Sequence, residues 1–75
     1  MLMKIRFKNI SDIYMFVNKA TRCKSDVYIK NIESEHKING KSILGIFTLD
    51  LSQPLQIVYD DSEKELTEYL KTLEK

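Results

Sequence analysis

His36, Cys23, Ser42 and the segment Asn9–Asp12 hold the side chains to which chemistry could be assigned. His36 is the single histidine, and a neutral imidazole is a nucleophile or base near physiological pH. It follows the polar run Glu33-Ser34-Glu35, distant in sequence from any helix start able to cradle phosphate, and reads as an exposed surface residue. Cys23 has no second cysteine, so it makes neither an internal disulfide nor a structural zinc site. Arg22 and Lys24 would lower its pKa while a helix C-terminus would raise it, and a redox role is not supported. Ser42 stands at the threshold of a short apolar helix with Gly45 three residues in, a place where its hydroxyl suits an N-cap. Asn9 offers a side-chain oxygen at another helix start, with Asp12 three residues on, where the first-turn dipole favours a negative charge. Two glycines and one histidine are too few to build nucleotide, dinucleotide or metal motifs. No cofactor, no metal and no enzymatic activity are therefore expected.

The elements that position these residues follow from hydrophobic period. Residues 3–8 alternate Met3, Ile5 and Phe7 against Lys4, Arg6 and Lys8, a strand with one buried and one wet face. Ile10, Ile13, Tyr14, Val17 and Ala20 recur at helical spacing over residues 10–22, and Phe16 widens that face. Residues 26–32 are β-branched and aromatic and predict a strand, with Glu33-Ser34-Glu35 as a hairpin tip and 36–38 as a short return strand. Asn39-Gly40 predicts a turn that uses positive φ. A second helix is expected over 42–50, with Ile43 and Ile46 in the core and Gly45 permitting close approach. Gln53-Pro54 stops it and opens a half-buried strand over 55–59. Ser62 and Glu65 form a capping-box pattern ahead of the stripe Leu66, Tyr69, Leu70 and Leu73. The order β-α-β-β-α-β-α implies an α+β domain, an antiparallel sheet with helices packed on one face. A ferredoxin-like fold with a spare terminal helix is the competitor that periodicity leaves open.

The chain's 75 residues make one domain, with 12 basic and 11 acidic residues and a formal net charge of +1. No global field steers it onto nucleic acid. Basic residues dominate from Lys4 to Lys41 and acidic ones from Asp60 to Glu74, an asymmetry that would favour an acidic partner on one face but more often is only a solvated surface. No long apolar run and no basic-then-apolar leader is visible, so a cytoplasmic protein is expected.

Lys41-Ser42-Ile43-Leu44-Gly45-Ile46-Phe47-Thr48-Leu49 resembles, nearly position by position, the regulatory-serine segment of the HPr family, which reads close to K-S-I-M-G-V-M-S-L. HPr is the small phosphocarrier of the bacterial sugar phosphotransferase system. Phe16-Val17-Asn18-Lys19-Ala20, followed by Asp26-Val27, resembles that family's helix end and next strand. The resemblance implies an open-faced β-sandwich, a four-stranded antiparallel sheet with three helices on one face. It also implies site residues. Counting back from Phe16-Val17, the family's phosphorylated histidine falls at Asn9, its arginine at Ser11 and the following proline at Asp12. Asn9 has no ring nitrogen to accept a phosphoryl group, Ser11 has no guanidinium fork for phosphate oxygens, and Asp12 repels them. The expectation is a family member whose carrier chemistry is lost.

In the family, the serine matching Ser42 is phosphorylated by an ATP-dependent HPr kinase, which redirects HPr to gene regulation and catabolite repression. A phosphate at a helix N-terminus meets free N–H groups and the positive dipole end, and Lys41 would add a favourable charge. A plain N-cap role explains Ser42 equally. Leu44 and Phe47 correspond to the family's exposed apolar residues that dock enzyme I and the transcriptional regulators, although either could be core. The leading reading is thus a regulatory, protein-binding module. The alternatives are a phosphocarrier using another residue, for which His36 is the sole candidate, and a small nucleic-acid binder presenting Lys4, Arg6 and Lys8 on an open sheet. Phe7 alternates away from those cations, which argues against the last.

Overall fold

The alternating segments pair into one sheet, and the helical stripes close over a single side of it. The computed structural model describes residues 1–74, in the order β1 (Leu2–Ile5), α1 (Ile10–Thr21), β2 (Val27–Asn31), β3 (Ile38–Asn39), α2 (Ile43–Ile46), β4 (Leu55–Tyr59) and α3 (Lys64–Lys71). The sheet runs β1-β4-β2-β3 with every neighbouring pair antiparallel. The last strand in sequence thus lies between the first and second. Its register is Met3 against Ile57 on one side and Ile29 against Ile57 on the other. Leu55, Ile57 and Tyr59 point into the core, as do Met3 and Ile5 of β1 and Val27 and Ile29 of β2. The open-faced, three-helix α+β architecture expected from the resemblance is the one observed, and the ferredoxin-like alternative is excluded by the strand order.

Phe16 is fully buried and is the hub of α1, meeting Phe7 edge-on at 5.8 Å between ring centroids. Ile13 and Ala20 flank it, whereas Ile10 and Tyr14, expected on the same face, are exposed. The buried stripe of α1 is narrower than the sequence pattern, centred on Ile13, Phe16 and Ala20. Leu66 and Leu70 of α3 are fully buried and Leu73 nearly so. Each such side chain contributes about 1.5–3 kcal/mol of transfer free energy.

Several boundaries differ from expectation. β1 pairs only to Ile5 against Leu55. Pro54 next in line has no N–H to continue the ladder. Phe7 stays buried beyond the strand end. The return strand is Ile38–Asn39 rather than 36–38. The Asn39-Gly40 turn uses no positive φ. Gly40 is there for space instead: a Cβ would stand 2.9 Å from Val27 Cγ1 and 3.1 Å from the Val27 carbonyl. Helix α2 stops at Ile46 because the Thr48 and Leu49 amides donate three residues back, to Gly45 and Ile46, tightening the chain into turns. The Ser62–Glu65 capping box does not form. Asp60 Oδ1 takes the Ser62 amide, Glu63 becomes the N-cap, and its carboxylate is drawn to Ser25.

Candidate functional site

The start of α1 is built by a reciprocal cap. Asn9 sits in extended conformation and its Oδ1 accepts the Asp12 amide at 3.1 Å, while Asp12 Oδ2 accepts the amides of Asn9 at 3.3 Å and Lys8 at 2.9 Å. The Ser11 hydroxyl donates to the same Asn9 Oδ1. A helix N-terminus attracts anions through its free amides and dipole. Here a built-in carboxylate, Asp12, supplies the anion. The Tyr69 hydroxyl donates to the Asp12 carbonyl at 3.0 Å, fastening α3 to this turn. Burial and the nearby Asp12 carboxylate push the Tyr69 phenol up to about 12, so it remains a neutral donor.

Ser42 is the N-cap of α2, its Oγ accepting the Gly45 amide at 3.1 Å. Gly45 is required by crowding: a Cβ would lie 2.8 Å from Ile38 Cγ2 and 3.2 Å from Ser42 Oγ. Ile46 is fully buried and Ile43 packs partly against the core, the arrangement expected from the pattern. Leu44 is 79% exposed and Phe47 43%, so these side chains are surface and not core. Lys41 is committed elsewhere, its Nζ donating to the Cys23 carbonyl at 3.2 Å at the end of α1.

The start of α1 and the end of α2 meet in a cleft of about 270 Å³ lined by Phe7, Lys8, Asn9, Ile10, Ile13, Phe47 and Leu51. Exposed Ile10, Tyr14 and Met15 on α1 and Leu44 on α2 are further apolar groups of these two helices. Asn9 and Phe47 are therefore brought together, while Ser42 and Lys41 lie outside the cleft lining. Sequence periodicity missed Ile10 and Tyr14 as surface residues because they fit the apolar stripe. Which residues of that stripe find a partner across the core has no local sequence signal. A larger hollow of about 700 Å³ lies between the end of β2 and the α2–β4 connection. Its lining, Asn31 to Ser34 with Asp50, Gln53 and Pro54, holds no histidine or cysteine.

His36 is exposed in the β2–β3 connection, its backbone amide donating to Ser34 Oγ at 3.0 Å. Cys23 is buried, and that burial together with the Glu63 carboxylate pushes its thiol up, away from thiolate chemistry. Among the described residues no cluster of histidine, cysteine, aspartate or glutamate is arranged to hold a metal. None of their helices is long and apolar enough to cross a membrane.

The crystal structure of the phosphocarrier protein HPr from Bacillus anthracis str. Ames is similar over 99% of this chain and 94% of its own, with a TM-score of 0.72 and 23% sequence identity. At that identity the likeness establishes the fold. No curated protein matches the chain. A family model described as the PTS HPr component phosphorylation site matches residues 12–75, beginning at Asp12 and leaving Asn9 and Ser11 outside its span. With the match running from the first turn of α1 to the C-terminus, the chain belongs to the HPr family of the sugar phosphotransferase system.

Proposed function

We propose that this HPr-family protein works as a regulatory docking module, without a phosphohistidine and with Ser42 as its phosphorylation site. The observation that carries the reading is the Asn9–Asp12 cap. Asn9 stands where the family's carrier histidine falls, and the amides of Lys8, Asn9 and Asp12 are taken up by the chain's own side chains. A phosphoryl group arriving there meets no imidazole and faces the Asp12 carboxylate. Docking would use Ile10 and Phe47 of the neighbouring cleft together with the exposed Leu44 of α2 and Tyr14 of α1. The partners are proteins: an HPr kinase, a transcriptional regulator or an enzyme I-like surface.

Ser42 supports the regulatory half through its setting. Its oxygen already lies against the Gly45 amide, and a phosphate in its place would gain charge-assisted bonds from the same turn. Lys41, bonded to the Cys23 carbonyl, would have to leave that carbonyl to assist.

Intact-mass measurement after two parallel incubations tests the proposal. With phosphoenolpyruvate and enzyme I, no phosphate is expected. With ATP and HPr kinase, one phosphate is expected and is absent in Ser42→Ala. Phosphate acquired from enzyme I would overturn the lost-carrier reading and make His36→Ala the next variant. A protein unmodified by kinase would remove the Ser42 switch and leave docking alone.

A further inference from the structure

The face of the sheet opposite the helices carries side chains in ordered rows. Leu2 is registered against Val58, and Val58 against Tyr28, while Lys4 is registered against Gln56, and Gln56 against Lys30. An apolar row, Leu2–Val58–Tyr28, therefore lies beside a basic one, Lys4–Gln56–Lys30. Leu2 is 62% exposed and Tyr28 36%. Arg6 continues the outward alternation past Lys4, and Lys37 stands over the Tyr28 ring at 5.4 Å from its centroid. Lys30 Nζ is folded onto the carbonyls of Asn31, Ile32 and Ser34, which orient the ammonium without neutralising it. Among the described residues none of Lys4, Arg6 and Lys37 is paired with a carboxylate. Asp26 and Asp60 lie on the other side of the apolar row, one position past the Val27–Tyr59 pair.

A strand face that only meets water has no need of a continuous apolar row, and an exposed Leu2 in line with Val58 and a Tyr28 held only by Lys37 over its ring and Asp26 at its hydroxyl marks a surface that gains from being covered. We propose that this open face docks an acidic amphipathic segment of a partner protein. Its apolar side chains would cover Leu2, Val58 and Tyr28, and its carboxylates would fall on the Lys4, Arg6 and Lys30 edge. Asp26 and Asp60 repel carboxylates from the opposite edge, which fixes the segment's orientation. This surface and the α1–α2 cleft lie on opposite sides of the sheet, so both can be occupied together. A single-stranded nucleic acid fits less well. Tyr28 is the sole aromatic in these rows, Lys37 already stands over its ring, and the remaining apolar groups are aliphatic.

The test is a ¹⁵N–¹H NMR titration of the full chain with a short synthetic peptide of alternating Glu and Leu. The controls are the same peptide with Lys for Glu, oligothymidylate, and a dilution series of the protein alone. Saturable shifts confined to the amides of Leu2, Lys4, Tyr28, Gln56 and Val58 are expected with the Glu peptide. Reversing two exposed charges, Lys4→Glu with Lys37→Glu, should weaken binding about tenfold. Tyr28→Ala should weaken it separately, and undisturbed amide dispersion in both variants shows that they fold. The proposal is overturned by no response, by an equal response to the Lys peptide, or by shifts at Asn9, Leu44 and Phe47 instead. Tighter binding of oligothymidylate would make the face a nucleic-acid surface. Concentration-dependent shifts at these residues in the dilution series would show that a second copy covers them.

Discussion

Single side chains set the chemistry of this protein by what they hold. Asn9 and Asp12 turn their oxygens to the amides of Lys8, Asn9 and Asp12, which makes a sound helix start and sets a carboxylate at the first turn of α1. Glu63 does the same between elements, accepting the Ser25 hydroxyl at 2.6 Å and the Ser25 amide at 2.9 Å. Those bonds, the hydroxyl's first, hold its carboxyl below the ordinary 4.5. A depressed folded pKa contributes stability that is present above the unfolded value and lost as pH falls through the folded one. The melting temperature should thus drop on acidification from about pH 5 to 3, and Glu63→Gln should flatten that slope. Asp60, also held low by its bonds from Ser62, leaves a residual slope in the variant. Gly40→Ala is expected to cost about 1–3 kcal/mol, because the new Cβ meets the Val27 backbone carbonyl as well as a movable side chain. A fall in urea midpoint at unchanged m value checks it.

At the scale of elements, strands and long helices were legible, and short or cap-defined ones less so. β4 falls on the residues its alternation marks, 55–59, since Pro54 fixes its start and every second residue is buried. Helix α2 is half its expected length, because apolar residues at helical spacing also fit a tight turn, and bonds from Thr48 decide between them. Ser62 matched a capping pattern, yet Asp60 and Ser25, contacts from outside the motif, redirected the backbone. The exposed apolar groups of α1 and α2 were legible in part: Leu44 and Phe47 could be picked from the sequence as exposed candidates, while Ile10 and Tyr14 could not. The connection after α2 is tied to β2 by Asn31, whose Nδ2 donates to the Asp50 carbonyl at 2.9 Å and whose Oδ1 accepts the Asp50 amide at 3.0 Å. Asn31→Ala should cost about 1 kcal/mol and raise amide exchange from Asp50 to Gln53 while leaving that of α1 unchanged.

For the whole molecule, size limits what can be lost. A domain of 75 residues has about 4–11 kcal/mol of folding free energy. The surface ion pairs of Lys19 and Arg22 with Glu65, at 3.3 and 3.4 Å, add at most about 1 kcal/mol each to the joining of α1 and α3. Stability therefore rests on the single apolar layer between sheet and helices. Phe16→Ala, which empties its centre, is expected to cost about 3–5 kcal/mol and leave much of the chain unfolded at room temperature, visible as lost near-ultraviolet circular dichroism and a shifted urea transition. The sequence by itself determined the element order, the buried face of each strand, the family resemblance and the absence of a histidine at the start of α1. Those properties reside in local period and residue type, which need no partner to be read. Tertiary structure alone decided the strand order β1-β4-β2-β3, the reason for Gly40, the redirected cap of α3 and the bare apolar rows on two surfaces. Each of these depends on which distant segments come into contact, because a residue's burial and free bonds are set by its neighbours in space and not by its neighbours in the chain.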